Sequence, residues 1–99
     1  MLVLPIVGGH YKQPSTNKSN QLDQFRTKVN KLQMPTKVQV RSEEKQLRFY
    51  HKDLCLGQLP RDHQFYGKLT VGSEFEVHLT LKQKTIYLMI PNEEVHYVK

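Results

Sequence analysis

Five histidines, a single cysteine and two pairs of adjacent carboxylates are the side chains of this 99-residue sequence best suited to chemistry. The histidines are His10, His51, His63, His78 and His96, and no two stand at a zinc-ligand spacing such as H-x3-H. With Cys55 the only cysteine, neither an intrachain disulfide nor a multi-cysteine metal site can form, and a reducing, cytoplasmic setting is expected. Cys55 itself falls in an alternating run and reads as a small strand residue, with no nucleophile signature around it. Gly8-Gly9 stands outside any phosphate-cradling motif, and Glu43-Glu44 and Glu93-Glu94 sit at strand ends where carboxylates are solvated. No metal or cofactor is expected.

Charge carries more information. The formal net charge of +6 lies in the first 41 residues, where Lys12, Lys18, Arg26, Lys28, Lys31, Lys37 and Arg41 face only Asp23; from residue 42 onward cations and acids balance. A field this lopsided attracts a polyanion. Tyr50 and Tyr87 fall on the polar faces of alternating runs, near Arg48, Lys52, Lys82 and Lys84, and Tyr11 and Tyr66 lie beside Lys12 and Lys68. Tyrosines among cations on a sheet form a stacking platform for bases, worth ~1–3 kcal/mol per stack; the same rings also serve to cover a thin core. The expected nucleic-acid contacts are Lys12, Lys18, Arg26, Lys28, Lys31, Lys37, Arg41, Arg48, Tyr50 and Lys52.

Two segments resemble known families. Leu56-Gly57-Gln58-Leu59-Pro60-Arg61-Asp62 is similar to the strand-to-turn signature of HIRAN domains, and Val71-Gly72-Ser73-Glu74-Phe75-Glu76-Val77 resembles their closing strand. HIRAN domains are small barrels that grip single-stranded DNA ends, so the resemblance implies a barrel and a single-strand ligand. The acidic, asparagine-rich segment usual before that strand is missing, and the DNA-end pocket residues do not carry over. Separately, Asp62-His63, Phe65, Gly67 and Leu69, then Glu76, His78, Ile86 and Tyr87, follow an order similar to one branch of the RelE-type ribonuclease toxins. That resemblance implies His63 and His78 as general acid–base residues for attack by an RNA 2′-hydroxyl, a task suited to imidazoles near neutrality. Lys82 stands where that family has an acid, and the family's two early helices meet a strand-like pattern at 38–59.

The elements that must position these residues follow from periodicity. The length indicates one domain, burying about two-thirds of its unfolded surface, and the 37% hydrophobic content suffices to fold it. Leu2–Val7 is apolar, lacks a basic leader and breaks at Pro5 and Gly8-Gly9; it reads as a buried strand with Pro5 at an edge or bulge, not as a signal peptide. No stretch approaches the ~18 apolar residues of a membrane span, so no membrane partner is expected. Residues 8–20 have loop composition and predict a mobile basic loop. Leu22, Phe25, Val29 and Leu32 form one helical stripe, predicting a helix over 20–34 capped by Ser19 or Asn20 and stopped by Pro35.

From Lys37 the period is two. Hairpins are expected to turn at Lys52-Asp53 and Gln83-Lys84, with 75–82 and 85–90 as strands, Cys55 and Gly57 opposite Leu54 and Leu56, and 93–99 as a last strand or a frayed tail. The predicted fold is α+β: one short helix packed on a curled antiparallel sheet or small barrel of about five strands, with 37–90 as a meander.

The function this favours is non-catalytic nucleic-acid binding, DNA or RNA, through phosphate contacts and base stacking. Single strands are slightly preferred, because no recognition helix with its turn is apparent. Six phosphate contacts would give a log–log salt slope of about −5 on duplex. A RelE-type ribonuclease and a phage- or mobile-element-encoded inhibitor that docks on an acidic host protein are the two alternatives. Edge strands of a short meander also leave room for a homodimer.

Overall fold

The computed structural model describes residues 1–9, 21–43 and 46–97. In chain order it contains β1 (Leu2–Gly8), α1 (Gln21–Asn30), β2 (Thr36–Glu43), β3 (Gln46–His51), β4 (Leu54–Gln58), β5 (Leu69–Val71), β6 (Glu74–Lys82), β7 (Thr85–Ile90), a 3₁₀ turn at Asn92–Glu94 and β8 (Val95–Tyr97). Six strands close into an antiparallel barrel in the order β1-β4-β3-β2-β6-β7, and β5 and β8 pair as a separate two-stranded sheet. The α+β class with a small barrel is as expected, with one more barrel strand than the five anticipated. Of the predicted loop, 10–20 lies outside the described residues, as do the proposed caps Ser19 and Asn20. No helix among the described residues is long and apolar enough to cross a membrane.

Alternation builds the wall. Phe75, Val77 and Leu79 of β6 point inward while Glu76, His78 and Thr80 are exposed, and Ile86, Leu88 and Ile90 of β7 meet Leu4 and Ile6 of β1, all five fully enclosed. Val38, Phe49 and Leu56 complete the interior. Closure makes β1 serve two neighbours: β7 along Leu2–Ile6, and β4 only at Val7↔Gln58 and Gly8↔Gly57. Pro5 is opposite Tyr87 on the β7 side, below the stretch where β4 joins, so one flank of the strand carries no ladder there.

Gly57 is what lets the seam shut. Its φ is +132°, and a Cβ on it would come within 2.5 Å of the Val7 carbonyl oxygen and 2.7 Å of Ile6 Cγ2. The β3–β4 register also slips beside it, with Phe49 opposite Gly57 but Tyr50 opposite Cys55. This irregularity corrects the expected alternation: Cys55, Leu56 and Gly57 are all buried.

The barrel has two ends, and each is plugged. Phe25 and Val29 of α1 enter the core at one end, which such a short helix needs, being marginal alone. Arg26 Nε donates to the Gln83 carbonyl of the β6–β7 turn at 3.1 Å, tying the helix to the rim. The helix stops at Asn30, four residues short of its predicted end. Lys31 and Leu32 already bond three residues back, to the carbonyls of Lys28 and Val29, and the chain then straightens into β2.

Residues 59–71 with β8 close the other end. Leu59 and Leu69 are buried, and the Phe65 ring packs on Tyr97 with centroids 5.4 Å apart. The tail left open between strand and fray is therefore a strand over 95–97. It pairs with β5, which the sequence pattern did not reveal because it has three residues and its partner is distant in the chain. The expected 37–90 meander is corrected as well: after β4 the chain crosses the barrel end, and β6 pairs beside β2. The Val40 amide donating to Ser73 O at 2.9 Å fixes that crossing.

Replacing Gly57 by Ala must force the β1–β4 seam apart. We expect a loss of about 2–4 kcal/mol out of the ~5–15 kcal/mol that stabilises a domain. Thermal unfolding followed by circular dichroism should show a melting temperature lower by on the order of 10 °C; an unchanged melt would mean that the seam does not close as described.

Candidate nucleic-acid interface

The α1 stripe decides where its cations go. With Phe25 and Val29 buried, Lys28 and Lys31 are left on the exposed side, facing the β3–β4 turn. That turn carries Lys52 at φ 53°, left-handed for a residue with a side chain. Lys28, Lys31, Lys52, His51 and Asp53 line an open groove of ≈ 400 Å³ together with Leu32 and Leu54. Among the described residues none of Lys28, Lys31 and Lys52 is held in an ion pair. Among the described residues the groove therefore holds three ammonium groups and one carboxylate, with Leu32 and Leu54 beside them.

His51 is fixed by its backbone neighbour. Its Nδ1 lies 2.8 Å from the Lys37 carbonyl oxygen. A carbonyl only accepts, so Nδ1 carries the proton and donates, leaving Nε2 as the acceptor nitrogen in the neutral ring.

Beyond the rim the outer wall of β2 and β3 continues the positive surface. The Arg41 guanidinium lies 4.4 Å from the Tyr50 ring centroid, a cation–π pair. Arg41 and Arg48 are direct cross-strand partners, and Arg48 Nε donates to Gln58 Oε1 at 3.3 Å.

The remaining predicted contacts divide. Arg26 is engaged with the β6–β7 turn, and Lys12 and Lys18 lie outside the described residues. Lys37, on the outer face of β2, is paired with Glu74 at 2.6 Å. The hydrogen bond from the Lys37 ammonium, followed by one from the Gln39 amide, holds the Glu74 carboxyl below its ordinary value of 4.5, and the same contact raises Lys37 above 10.5.

His63 and His78 are not brought together. His63 sits in the 59–71 segment, where its Nδ1 accepts from the Phe65 amide at 3.1 Å and its ring tilts against Phe65 at 5.6 Å. His78 is exposed on the outer wall of β6, opposite Met89. No hydrogen bond or ring contact joins them among the described residues, and the described residues contain one helix, not the two early helices that the RelE resemblance implies. Nor does any group of three metal-ligating side chains occur among the described residues.

Periodicity alone missed the part played by His51, Leu32 and Leu54. Only the docking angle of α1 puts them in one groove. A smaller pocket of ≈ 150 Å³ at the opposite end, lined in part by Gln46, Leu59 and Tyr66, gave no sequence signal.

The Lys37–Glu74 pair makes a pH prediction. Glu74 contributes stability above its ordinary value and loses it as pH falls through its lowered value; Lys37 contributes below 10.5 and loses it as pH rises through its raised value. An NMR titration should place the Glu74 midpoint below 4.5 in the wild type and move it upward in Lys37→Gln. A midpoint unchanged by that substitution would dissolve the pair.

No family model, curated protein or solved structure matches the chain, so the two resemblances remain confined to their short segments, and a functional reading must be built from the groove and wall themselves.

Proposed function

We propose that this chain is a small, non-catalytic nucleic-acid-binding protein that takes a single strand over the rim of its barrel. One observation supports this reading above the others: Lys28, Lys31 and Lys52, without ion-pair partners among the described residues, converge on a groove that Leu32 and Leu54 also line. Ammonium groups are point-charge ligands for phosphate, while apolar side chains accept sugar and base edges. Tyr50 under Arg41 offers a stacking surface on the adjoining wall. Each phosphate neutralised releases condensed counterions, so the affinity is set largely by salt.

A single strand suits this surface because its backbone can bend over a rim and its bases are unpaired for stacking. Lys37 contributes little while Glu74 holds it. The separation of His63 from His78 argues against the ribonuclease alternative, since a general acid and base must reach the same reacting group.

A salt titration with single-stranded DNA, single-stranded RNA and duplex DNA tests the reading. Lys28→Gln, Lys31→Gln and Lys52→Gly should each lower the single-strand log–log slope by about 0.7. Lys52→Gly should at the same time raise stability by ~1 kcal/mol, because glycine adopts the left-handed turn position without strain. Tight binding unaffected by all three substitutions would overturn the reading. Absence of oligonucleotide binding at low salt, with capture of an acidic protein by the same cations, would transfer the groove to the protein-docking alternative.

A further inference from the structure

We infer that His51 is a phosphate ligand in the rim groove, and that binding there is coupled to uptake of a proton at its Nε2. This rests on the single-strand reading and adds to it the identity of a titrating contact. The Nδ1–H is committed to the Lys37 carbonyl at 2.8 Å, which orients the ring and leaves Nε2 as the nitrogen available to a ligand. In the neutral ring Nε2 is only an acceptor, and a phosphodiester oxygen is also only an acceptor, so the two repel. Protonation turns Nε2 into a charged donor, and both ring nitrogens then donate: one to the carbonyl, one to phosphate.

The charged groups around the ring come from every element that lines the groove: Lys28 and Lys31 from α1, Lys52 and Asp53 from the β3–β4 turn, with the Lys37 backbone beneath. With the ring protonated, His51 joins Lys28, Lys31 and Lys52 as a fourth cation against the single carboxylate of Asp53. A phosphate inserted among them supplies the opposite charge that a protonated imidazole requires. An anion within about 4–6 Å of an imidazole favours its charged form by a factor of about ten or more, and imidazole is the side chain whose ordinary titration spans pH ~5–8. The affinity for a phosphate-bearing strand must therefore rise as pH falls through that range.

Two ligands present the same chemistry, an internal phosphodiester and a terminal phosphomonoester. Oligothymidylates with a 5′-hydroxyl or a 5′-phosphate distinguish them; the 5′-hydroxyl strand has no titration in the range and carries the pH test, since a terminal phosphate itself takes up a proton at pH ~6. Binding is measured between about pH 5.5 and pH 8, the interval over which imidazole changes charge. Calorimetry in buffers of different ionisation enthalpy counts the protons taken up.

We expect about five- to tenfold tighter binding of the 5′-hydroxyl strand at the acid end for the wild type, consistent with one anion beside one imidazole, and tighter binding of the 5′-phosphate strand than of the 5′-hydroxyl strand at about pH 8 if the groove takes the strand end. His51→Asn keeps an N–H donor for the Lys37 carbonyl and removes Nε2; His51→Gln keeps a neutral donor near the Nε2 position. Both should lose most of the pH dependence and the linked proton, with unchanged thermal melts confirming the fold. If the wild type binds but the two variants retain its pH dependence, the proton belongs elsewhere and the inference fails while the single-strand reading stands. If no oligonucleotide binds at any pH, both fall together.

Discussion

The seam between β1 and β4 is the constraint on which the rest of the molecule depends. Five pairs join β1 to β7, but two pairs, Val7↔Gln58 and Gly8↔Gly57, join it to β4. With the seam closed the six strands form one barrel, although β1 carries no ladder on its β4 side along Leu2–Ile6. Beside the barrel, β5 and β8 form an open two-stranded ribbon. The close approach is possible because residue 57 lacks a Cβ.

Closure moves the structural problem from edges to ends. A barrel this small has no room for a solvent channel, so Phe25 and Val29 fill one mouth while Leu59 and Leu69 fill the other. The same docking explains the surface. Once the apolar stripe of α1 is inside, Lys28 and Lys31 project beside the β3–β4 turn, and a groove forms with His51 and Lys52 on its opposite bank. The hydrophobic effect positions the helix, and the cations are carried to one place as a consequence.

How much of this was legible in the sequence depended on range. The strands at 75–82 and 85–90 and both tight turns were readable because alternation and turn position are local. The class of fold was readable from the same pattern. The order of strands was not: β6 beside β2 and β1 closing on β4 are long-range pairings that no local period encodes. The buried run Cys55-Leu56-Gly57 defeated alternation because a register slip sits there. For the site, charge located the cations on the helix, yet Lys37 and Arg26 were indistinguishable from Lys28 and Lys31 until the partners Glu74 and Gln83 came near in space. The histidines show the limit of motif order: His63 and His78 follow a catalytic-looking sequence and stand apart in the fold, whereas His51, in no motif, lies among the lysines.

The central claim is that a single strand crosses the rim at this groove, and amide chemical-shift mapping tests it most directly. On addition of a single-stranded oligonucleotide the largest perturbations should fall on Lys28, Lys31, His51 and Lys52, extending to Tyr50 and Arg41 on the wall. Perturbations centred on His63, His78 or the β5–β8 sheet, with the rim unaffected, would contradict the account.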